Sequence, residues 1–353
     1  MSEMLAPRRE KSIAGRIKCV VWDLDNTLWH GVLSEGDKVE LFPDSLNVLR
    51  ELDSRGILQS IASKNDADLA LAKVRELGLS EYFIHPQICW STKSESIQRI
   101  SERLNIGLDA IAFIDDQPFE RDEVRSVHSQ VLCLDGERRS DLTIMSELMP
   151  EFLTVEARNR RKMYLSDSKR EDAENSFEGP RESFLATLGM VFAIRRAGAD
   201  DLARVNELME RTNQLNTTGR IYSHAELEEI RKSPTHDLWI ASLRDVYGDY
   251  GSIGVAMVEK RLDVWTIKSF LMSCRVMSRG VGSVFIQWLI GRAQREKVNL
   301  NAEMIPNDRN RMMLLAYRFA GFRLLKSVAG VDILDHDLTS LATYPDYVSV
   351  REE

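Results

Sequence analysis

Two aspartates, Asp23 and Asp25, sit two residues apart in the run Asp23-Leu24-Asp25-Asn26-Thr27, directly after the apolar segment Ile17-Lys18-Cys19-Val20-Val21-Trp22. That segment reads as a buried parallel strand. Side chains alternate along a strand, so the two carboxylates point the same way, and they stand at the strand end where open α/β sheets hold their ligands. One carboxylate can act as a nucleophile and the other as a proton donor if a cation relieves their repulsion. Taken alone, the run reads equally well as an Asp-rich turn after a strand.

The order of the downstream segments narrows this choice. Gly56 to Ile61 leads a second apolar strand into Ala62-Ser63-Lys64-Asn65, which ends in a hydroxyl, an ammonium and an amide. Ile88-Cys89-Trp90 leads to Lys93 at the start of a helical pattern over Ser94 to Leu104, and Ala110 to Ile114 ends in Asp115-Asp116, with Glu120 one turn on. Each interval is long enough for a helical crossover to the next parallel strand. The elements that must position these groups are therefore parallel strands with their carboxyl ends side by side. Between Asp25 and Ser63 there is room for a short flap (Leu28 to Phe42) and a helix (Asp44 to Arg55). Between Ser63 and Lys93 one helix (Ala67 to Leu77) fills the gap. Neither interval holds a cap domain, so the site is expected to be open, suited to a large substrate or to a lid from elsewhere.

Over residues 15–150 this constellation resembles the haloacid-dehalogenase (HAD) superfamily of aspartyl-phosphate phosphotransferases. The resemblance implies Asp23 as nucleophile and Asp25 as general acid and base. It implies phosphate contacts from Thr27, Ser63, Lys64, Asn65 and Lys93, and Mg²⁺ held among Asp23, Asp25, Asp115 and Asp116. The physics is compatible: phosphoryl transfer needs positioning and charge neutralisation, and oxygen ligands suit Mg²⁺ better than zinc. Asp115 is the stronger ligand candidate; Asp116 and Glu120 fit ligation or the orientation of waters or of Lys93.

The chain has 353 residues, a net charge of −8 and 43% hydrophobic residues. The length favours two domains, and the acidic balance argues against nucleic acid as the main partner. No apolar stretch reaches membrane length, and the first sixteen residues lack a signal-peptide core. Four cysteines without paired spacing point to reduced thiols and a cytoplasmic setting, with Cys19, Cys89 and Cys133 in strand-like runs read as core. The expected organisation is a flexible tail (1–16), a first domain (17–150), a charged helical linker (151–188) and a second domain (189–353). The linker's charges, Arg158 to Asp172, read as a solvated helix or helix pair.

The second half has its own α/β rhythm. A strand (Met190 to Ile194) and an amphipathic helix (Asp201 to Thr212) precede a hairpin around Tyr247-Gly248-Asp249-Tyr250-Gly251. A long strand (Trp265 to Arg275) then runs into Ser278-Arg279-Gly280-Val281-Gly282 and an apolar-striped helix. Strand (Val298 to Met304), helix (Arg309 to Phe319) and strand (from Phe322) complete the series. This succession resembles the GNAT acyltransferase fold, in which the glycine turn's amides bind the coenzyme A pyrophosphate at a helix N-terminus. The GNAT pattern has Gln or Arg where this chain has Met277, which disfavours acetyl-CoA, although a pantetheine arm without the nucleotide fits the same strand.

Both halves together resemble a narrower family. Asp23-Leu24-Asp25-Asn26-Thr27-Leu28-Trp29, Ser63-Lys64-Asn65 and Phe113-Ile114-Asp115-Asp116-Gln117-Pro118 carry the first part. Thr212-Asn213-Gln214-Leu215-Asn216, Tyr247 to Gly251 and Ser273-Cys274-Arg275-Val276 carry the second. These match the FkbH-like family of polyketide biosynthesis over nearly the whole chain. The resemblance implies an α/β fold class, a capless HAD-like doubly wound sheet plus a GNAT-like domain. It also implies an activity: taking a glyceryl unit from 1,3-bisphosphoglycerate, removing its remaining phosphate and leaving glyceryl on an acyl-carrier protein. The chain departs from the family at His30 (usually Gly), Leu215 (usually Phe) and Ser278 (usually Gly).

An acyl phosphate calls for a soft nucleophile. Cys274, beside Arg275 and near Arg279, fits an acyl-accepting thiolate and equally a half-buried core thiol. Arg275, Arg279, Gly280, Gly282, Tyr317 and Asn213 are the accompanying acyl- or pantetheine-binding candidates. Tyr317 fits either a tyrosine acid or packing on an amphipathic helix. Asn213 and Asn216 fit substrate binding or helix capping, and His236 reads as a base or, more simply, as a surface histidine. Three other functions stay open: a phosphatase with the second domain as its lid, an acyl-CoA-dependent acyltransferase, and a non-enzymatic carrier-docking module. The complete set of Asp23, Asp25, Ser63, Lys93 and Asp115-Asp116 speaks against the last.

Overall fold

The structure, a computed structural model, describes residues 16–212, 214–339 and 343–353. The expected tail lies almost wholly outside them. The described chain divides into two compact units, one ending at Leu165 and the other running from Ser166 to Glu353. Residues 151–165 belong to the first and 166–188 to the second.

In the first unit β1 (Cys19–Trp22), a small hairpin of β2 (Trp29–His30) and β3 (Glu40–Leu41), α1 (Ser45–Ser54), β4 (Leu58–Ser63) and α2 (Ala67–Glu76) come first. β5 (Gln87–Ile88), α3 (Lys93–Leu104), β6 (Ile111–Asp115), α4 (Pro118–Val127) and β7 (Leu132–Asp135) are next, and α5 (Val155–Arg158) comes after them. The five main strands form a parallel sheet in the order β5-β4-β1-β6-β7. Period-two alternation divides its two cores. Val20 and Trp22 face one side with Val48, Leu52 and Val74 of α1 and α2. Cys19 and Val21 face the other with Ile97, Ile100 and Val124 of α3 and α4. This is the expected doubly wound parallel sheet without a large cap: only β2, a short 3-10 turn (Leu33–Glu35), β3 and α1 separate Asp25 from β4, and only α2 and β5 separate Ser63 from Lys93.

The second unit is a mixed α/β unit built on one eight-stranded sheet. α6 (Arg160–Asn175) straddles the division, and α7 (Arg181–Thr187), β8 (Met190–Arg196), α8 (Leu202–Arg211), α9 (His224–Lys232), β9 (His236–Asp245) and β10 (Gly248–Lys260) come after it. Then come β11 (Val264–Met272), α10 (Val281–Glu296), β12 (Asn299–Met304), α11 (Arg311–Phe319), β13 (Arg323–Val328), β14 (Val331–His336) and β15 (Val348–Glu352). The sheet order is β13-β14-β12-β11-β10-β9-β8-β15. Helices α7, α10 and α11 pack on one face and α8 and α9 on the other.

β11 is shorter than the expected strand. It stops at Met272, and Cys274–Arg279 form a short 3-10 helix that carries Cys274 and Arg275 out of the sheet. β11 and β12 pair in parallel only from Val264–Asn299 to Ile267–Ala302 and then part. The chain's own segment enters the gap. Leu215 accepts from Met272 N at 2.9 Å, Thr217 N donates to Phe270 O at 3.0 Å, and Ile305 N donates to Thr217 O at 2.9 Å. Asn310, fully buried, donates its amide to the carbonyls of Asn216, Thr217 and Ile305. Buried backbone groups left by the parting strands thus find partners.

The charged connector is not merely a solvated face. Arg170 on α6 is buried, forks onto Asp245 at 2.7 and 2.8 Å, bonds Asp167 at 2.8 Å and stacks 3.9 Å over Tyr250. A buried guanidinium is tolerable only with such partners. Arg170→Met should therefore destabilise the protein by about 3–5 kcal/mol, because the buried Asp245 carboxylate keeps its neutral donors but loses its cation. Urea unfolding of the full chain checks this, and Arg170→Met with Asp245→Leu should recover most of the loss.

Candidate active site

Asp23 is the first residue past β1, and its amide still bonds Ile114 O of β6 at 3.0 Å. Its buried carboxylate pairs with the ammonium of Lys93. Lys93 opens α3, capped by Thr92, and its Nζ also donates to Ala62 O at 2.8 Å and lies 3.1 Å from Asp115 Oδ2. One cation thus joins the ends of β1, β4 and β6. Burial alone would weaken the Lys93 proton affinity, but Asp23 and Asp115 more than offset it and raise the pKa. Ser63, the last residue of β4, is buried at the same edge.

Asp25 is held apart from this group. Its Oδ1 accepts from Trp29 Nε1 at 2.8 Å and Leu33 N at 3.1 Å, and its Oδ2 accepts from Asn65 Nδ2 at 2.9 Å. Burial raises its pKa above the usual carboxylate range despite those bonds, and the charge of Asp23 adds to the rise. That combination suits a proton donor. Three donors occupy the Asp25 carboxylate, which stands outside the cluster of side-chain oxygens formed by Asp23, Asp115 and Asp116.

Asp23, Asp115 and Asp116 each offer an oxygen within 4.8 Å of the others. Burial, and then the charge of Asp23, push Asp115 up to about 7. The same two causes raise Asp116. Asp115 Oδ1 accepts from Gln117 N at 2.8 Å, whereas its buried Oδ2 has the Lys93 ion pair but no aligned hydrogen bond. Three crowded carboxylates around one ammonium are short of positive charge, and a hard all-oxygen set of this kind fits Mg²⁺.

Several candidates for phosphate binding have other work. Thr27 Oγ1 accepts from Asp116 N at 2.9 Å and donates to Asp116 Oδ1 at 3.3 Å, so it holds a ligand candidate in place. Lys64 Nζ pairs with buried Glu120 at 2.8 Å, and Asn65 orients Asp25. Of the expected set, Lys93 stands at the carboxylate cluster and Ser63 at the neighbouring strand end. The rings of His30 and Phe42 meet at a tilted angle of 46°, with centroids 3.7 Å apart. Sequence reading missed Arg121, whose Nη1 donates to the carbonyls of both Asp115 (2.7 Å) and Asp116 (2.8 Å) while Nη2 pairs with Asp135. An arginine on α4 soon after Pro118 looks the same in sequence whether it faces water or folds back. Gly136 is needed for closeness: a Cβ there would stand 3.2 Å from Asp116 N.

In the second unit Cys274 is a partly buried thiol outside any disulfide. Its neighbouring cations are turned toward α6: Arg275 donates to Tyr250 O at 2.8 Å and lies 3.8 Å from Asp167, and Arg279 pairs with Glu174 at 2.9 Å. Tyr317 is fully enclosed beside Phe322 and Phe270, and burial raises its phenol. Asn213 lies outside the described residues. Gly280 and Gly282 line an apolar cavity of about 210 Å³, with Met272, Met277, Met313 and Phe319.

No protein-family model matches the chain, and no curated protein does. Among solved structures it is similar to the N-terminal part of a Bacteroides fragilis protein containing a phosphatase domain, complexed with Mg. That match has 26% identity and a TM-score of 0.33 over 38% of this chain and 41% of the other. The chain therefore spans less than half of that protein's crystallised length. It is also similar to a ribosomal-protein alanine N-acetyltransferase of Escherichia coli, at 14% identity and TM-score 0.34 over 42% and 95% of the two chains. The GNAT domain of S. lividans PAT matches at 18% identity and TM-score 0.32, over 40% and 88%. No helix among the described residues is long and apolar enough to cross a membrane.

Because Thr27 fixes Asp116 through both its amide and its carboxylate, Thr27→Val should weaken Mg²⁺ binding by about 10–100-fold, the usual loss when a ligand's own support is removed. Calorimetric titration with MgCl₂ alone reads this, and circular dichroism should be unchanged.

Proposed function

We propose that the chain is a Mg²⁺-dependent aspartyl-nucleophile phosphatase coupled to a thiol acyltransferase, which takes a glyceryl unit from 1,3-bisphosphoglycerate and leaves it, dephosphorylated, on an acyl-carrier protein. The observation that carries the phosphatase half is the buried Lys93 ammonium joining Asp23 to Asp115, with Asp25 separately oriented and its pKa raised. The acyl-transfer half rests on the motif order of both halves and on Cys274 beside the apolar cavity's strand and turn.

When bound among Asp23, Asp115 and Asp116, Mg²⁺ supplies positive charge for the phosphoryl oxygens. An Asp23 carboxylate oxygen attacks phosphorus, the bond to the glyceryl oxygen breaks, and Asp25 gives its proton to that oxygen. Asp25 then takes a proton from water as the water oxygen attacks the phosphoaspartate, releasing inorganic phosphate and restoring Asp23. Lys93 and Ser63 hold the transferring oxygens. In the acyl step the Cys274 thiolate attacks the carbonyl carbon of the acyl phosphate, and the phosphate leaves with the bonding pair. The carrier's thiol then displaces Cys274 from the thioester, its proton passing to the Cys274 sulfur. The open first unit suits a phosphate delivered on a protein-borne arm.

A second reading, a phosphatase without acyl transfer, is favoured by one observation: Arg275 and Arg279 are engaged with α6 carboxylates. Intact-protein mass spectrometry with 1,3-bisphosphoglycerate and a phosphopantetheinylated carrier separates the two. The main reading expects a glyceryl or phosphoglyceryl adduct on the enzyme that Cys274→Ala removes. No adduct on either protein would overturn it. Asp25→Asn should slow phosphate release by about 10²–10⁴-fold, the usual share of general acid–base catalysis, whereas Asp23→Asn should abolish it. Malachite-green phosphate assays check both.

A further inference from the structure

The stretch from Arg309 to Val328 carries five cations, Arg309, Arg311, Arg318, Arg323 and Lys326, and no acidic residue, in a chain whose net charge is −8. All five are exposed. Two of them belong to α11, where helical spacing sets which face they share. Met313 and Tyr317 are buried in the core with Ala320 and Phe322. The opposite arc holds Arg311, Met312, Leu315, Arg318 and Phe319, at i, i+1, i+4, i+7 and i+8. Met312 is 52% exposed and Phe319 88%, so this arc sets large apolar side chains in water beside two guanidinium groups. Neither Arg311 nor Arg318 has an ion pair among the described residues, whereas Arg170, Arg220 and Arg279 of the same unit each do.

The arc is also a wall of the apolar cavity. Met312, Leu315 and Phe319 line it together with Met277, itself 39% exposed, so the cavity opens beside the arc. An exposed apolar patch rimmed by charge marks a binding surface. Arginine and aromatic residues carry much of the energy of protein interfaces, and methionines adapt to the shape of what they meet. We propose that the outer face of α11 docks an acidic partner protein, with carboxylates of one partner helix on Arg311 and Arg318 and an apolar side chain on Met312 and Phe319 at the cavity's mouth. Charge complementarity selects this occupant. A second copy meeting the same face about a two-fold axis would set Arg311 and Arg318 of both copies against each other. Three apolar residues are few to hold a helix at a bilayer surface. The partner's identity rests on the acyl-transfer reading, in which it is the carrier protein; α11 adds the surface on which that protein sits.

The test uses the full chain, 1,3-bisphosphoglycerate and two acyl acceptors, a phosphopantetheinylated carrier protein and free pantetheine, with thioester followed by mass spectrometry. Arg311→Glu with Arg318→Glu should raise the KM for the carrier at least about tenfold and keep kcat within about twofold, because these charges act on encounter and binding rather than on chemistry. The rate with pantetheine should be unchanged. Arg311→Lys with Arg318→Lys should keep most of the affinity. Raising salt from about 50 to about 200 mM should weaken carrier binding by wild type far more than by the charge-reversed variant. An unchanged KM in the charge-reversed variant, or an equal loss with both acceptors, would overturn the assignment. So would a wild-type dimer that this variant disperses, or phosphatidylserine vesicles bound in preference to the carrier. If wild type acylates neither acceptor, the acyl-transfer reading fails. Calorimetry of the carrier against wild type and the charge-reversed variant then decides the surface alone: weaker binding by the variant supports it, and equal or absent binding overturns it.

Discussion

The buried ammonium of Lys93 is the constraint on which the first unit's chemistry depends. Asp23, Asp115 and Asp116 come within 4.8 Å of one another, and carboxylates so placed repel strongly once water is excluded. Lys93 is the protein's own answer, and it can be given only because α3 begins at that residue, so that a helix start packed against the sheet delivers a charge to the ends of three strands. Burial, and then the charge of Asp23, still push Asp115 upward beside that ammonium. The crowded carboxylate oxygens are what fit the site to a hard divalent cation.

The second unit solves a comparable problem with neutral groups. Where β11 and β12 part, a sheet would be left with unpaired backbone, and Leu215 to Thr217 bridge the gap through backbone hydrogen bonds with Asn310 bonding three carbonyls behind it. Its charges are then organised from α6. Arg170 secures Asp245 and Tyr250, and Asp167 and Glu174 meet the arginines of the Cys274 helix.

Much of the fold was legible because its signals are local. Continuous apolar runs and crossover intervals mark β1, β4 and β6, and the start of α3 falls within one residue of the expected Ser94. Other elements carried weak signals. The five-residue β15 pairs with β8 across most of the second unit's sequence, and the end of β11 at Met272 depends on where its neighbour turns away. The charged connector read as solvated because composition does not reveal that Asp245 and Tyr250, far along the chain, bury one of its arginines.

In the site, the sequence by itself determined which reactive groups stand at strand ends and in what order, since strand periodicity and crossover length place residues at an edge without reference to distant partners. Only the tertiary structure decided how those groups divide their work. Asn65 and Trp29 orient Asp25, Thr27 and Arg121 fix the Asp115-Asp116 turn, and Glu120 engages Lys64. Most of these pairings join residues tens of positions apart, and a hydrogen bond or ion pair depends on a few tenths of an ångström and on angle. A one-dimensional pattern does not contain that information until the chain is packed.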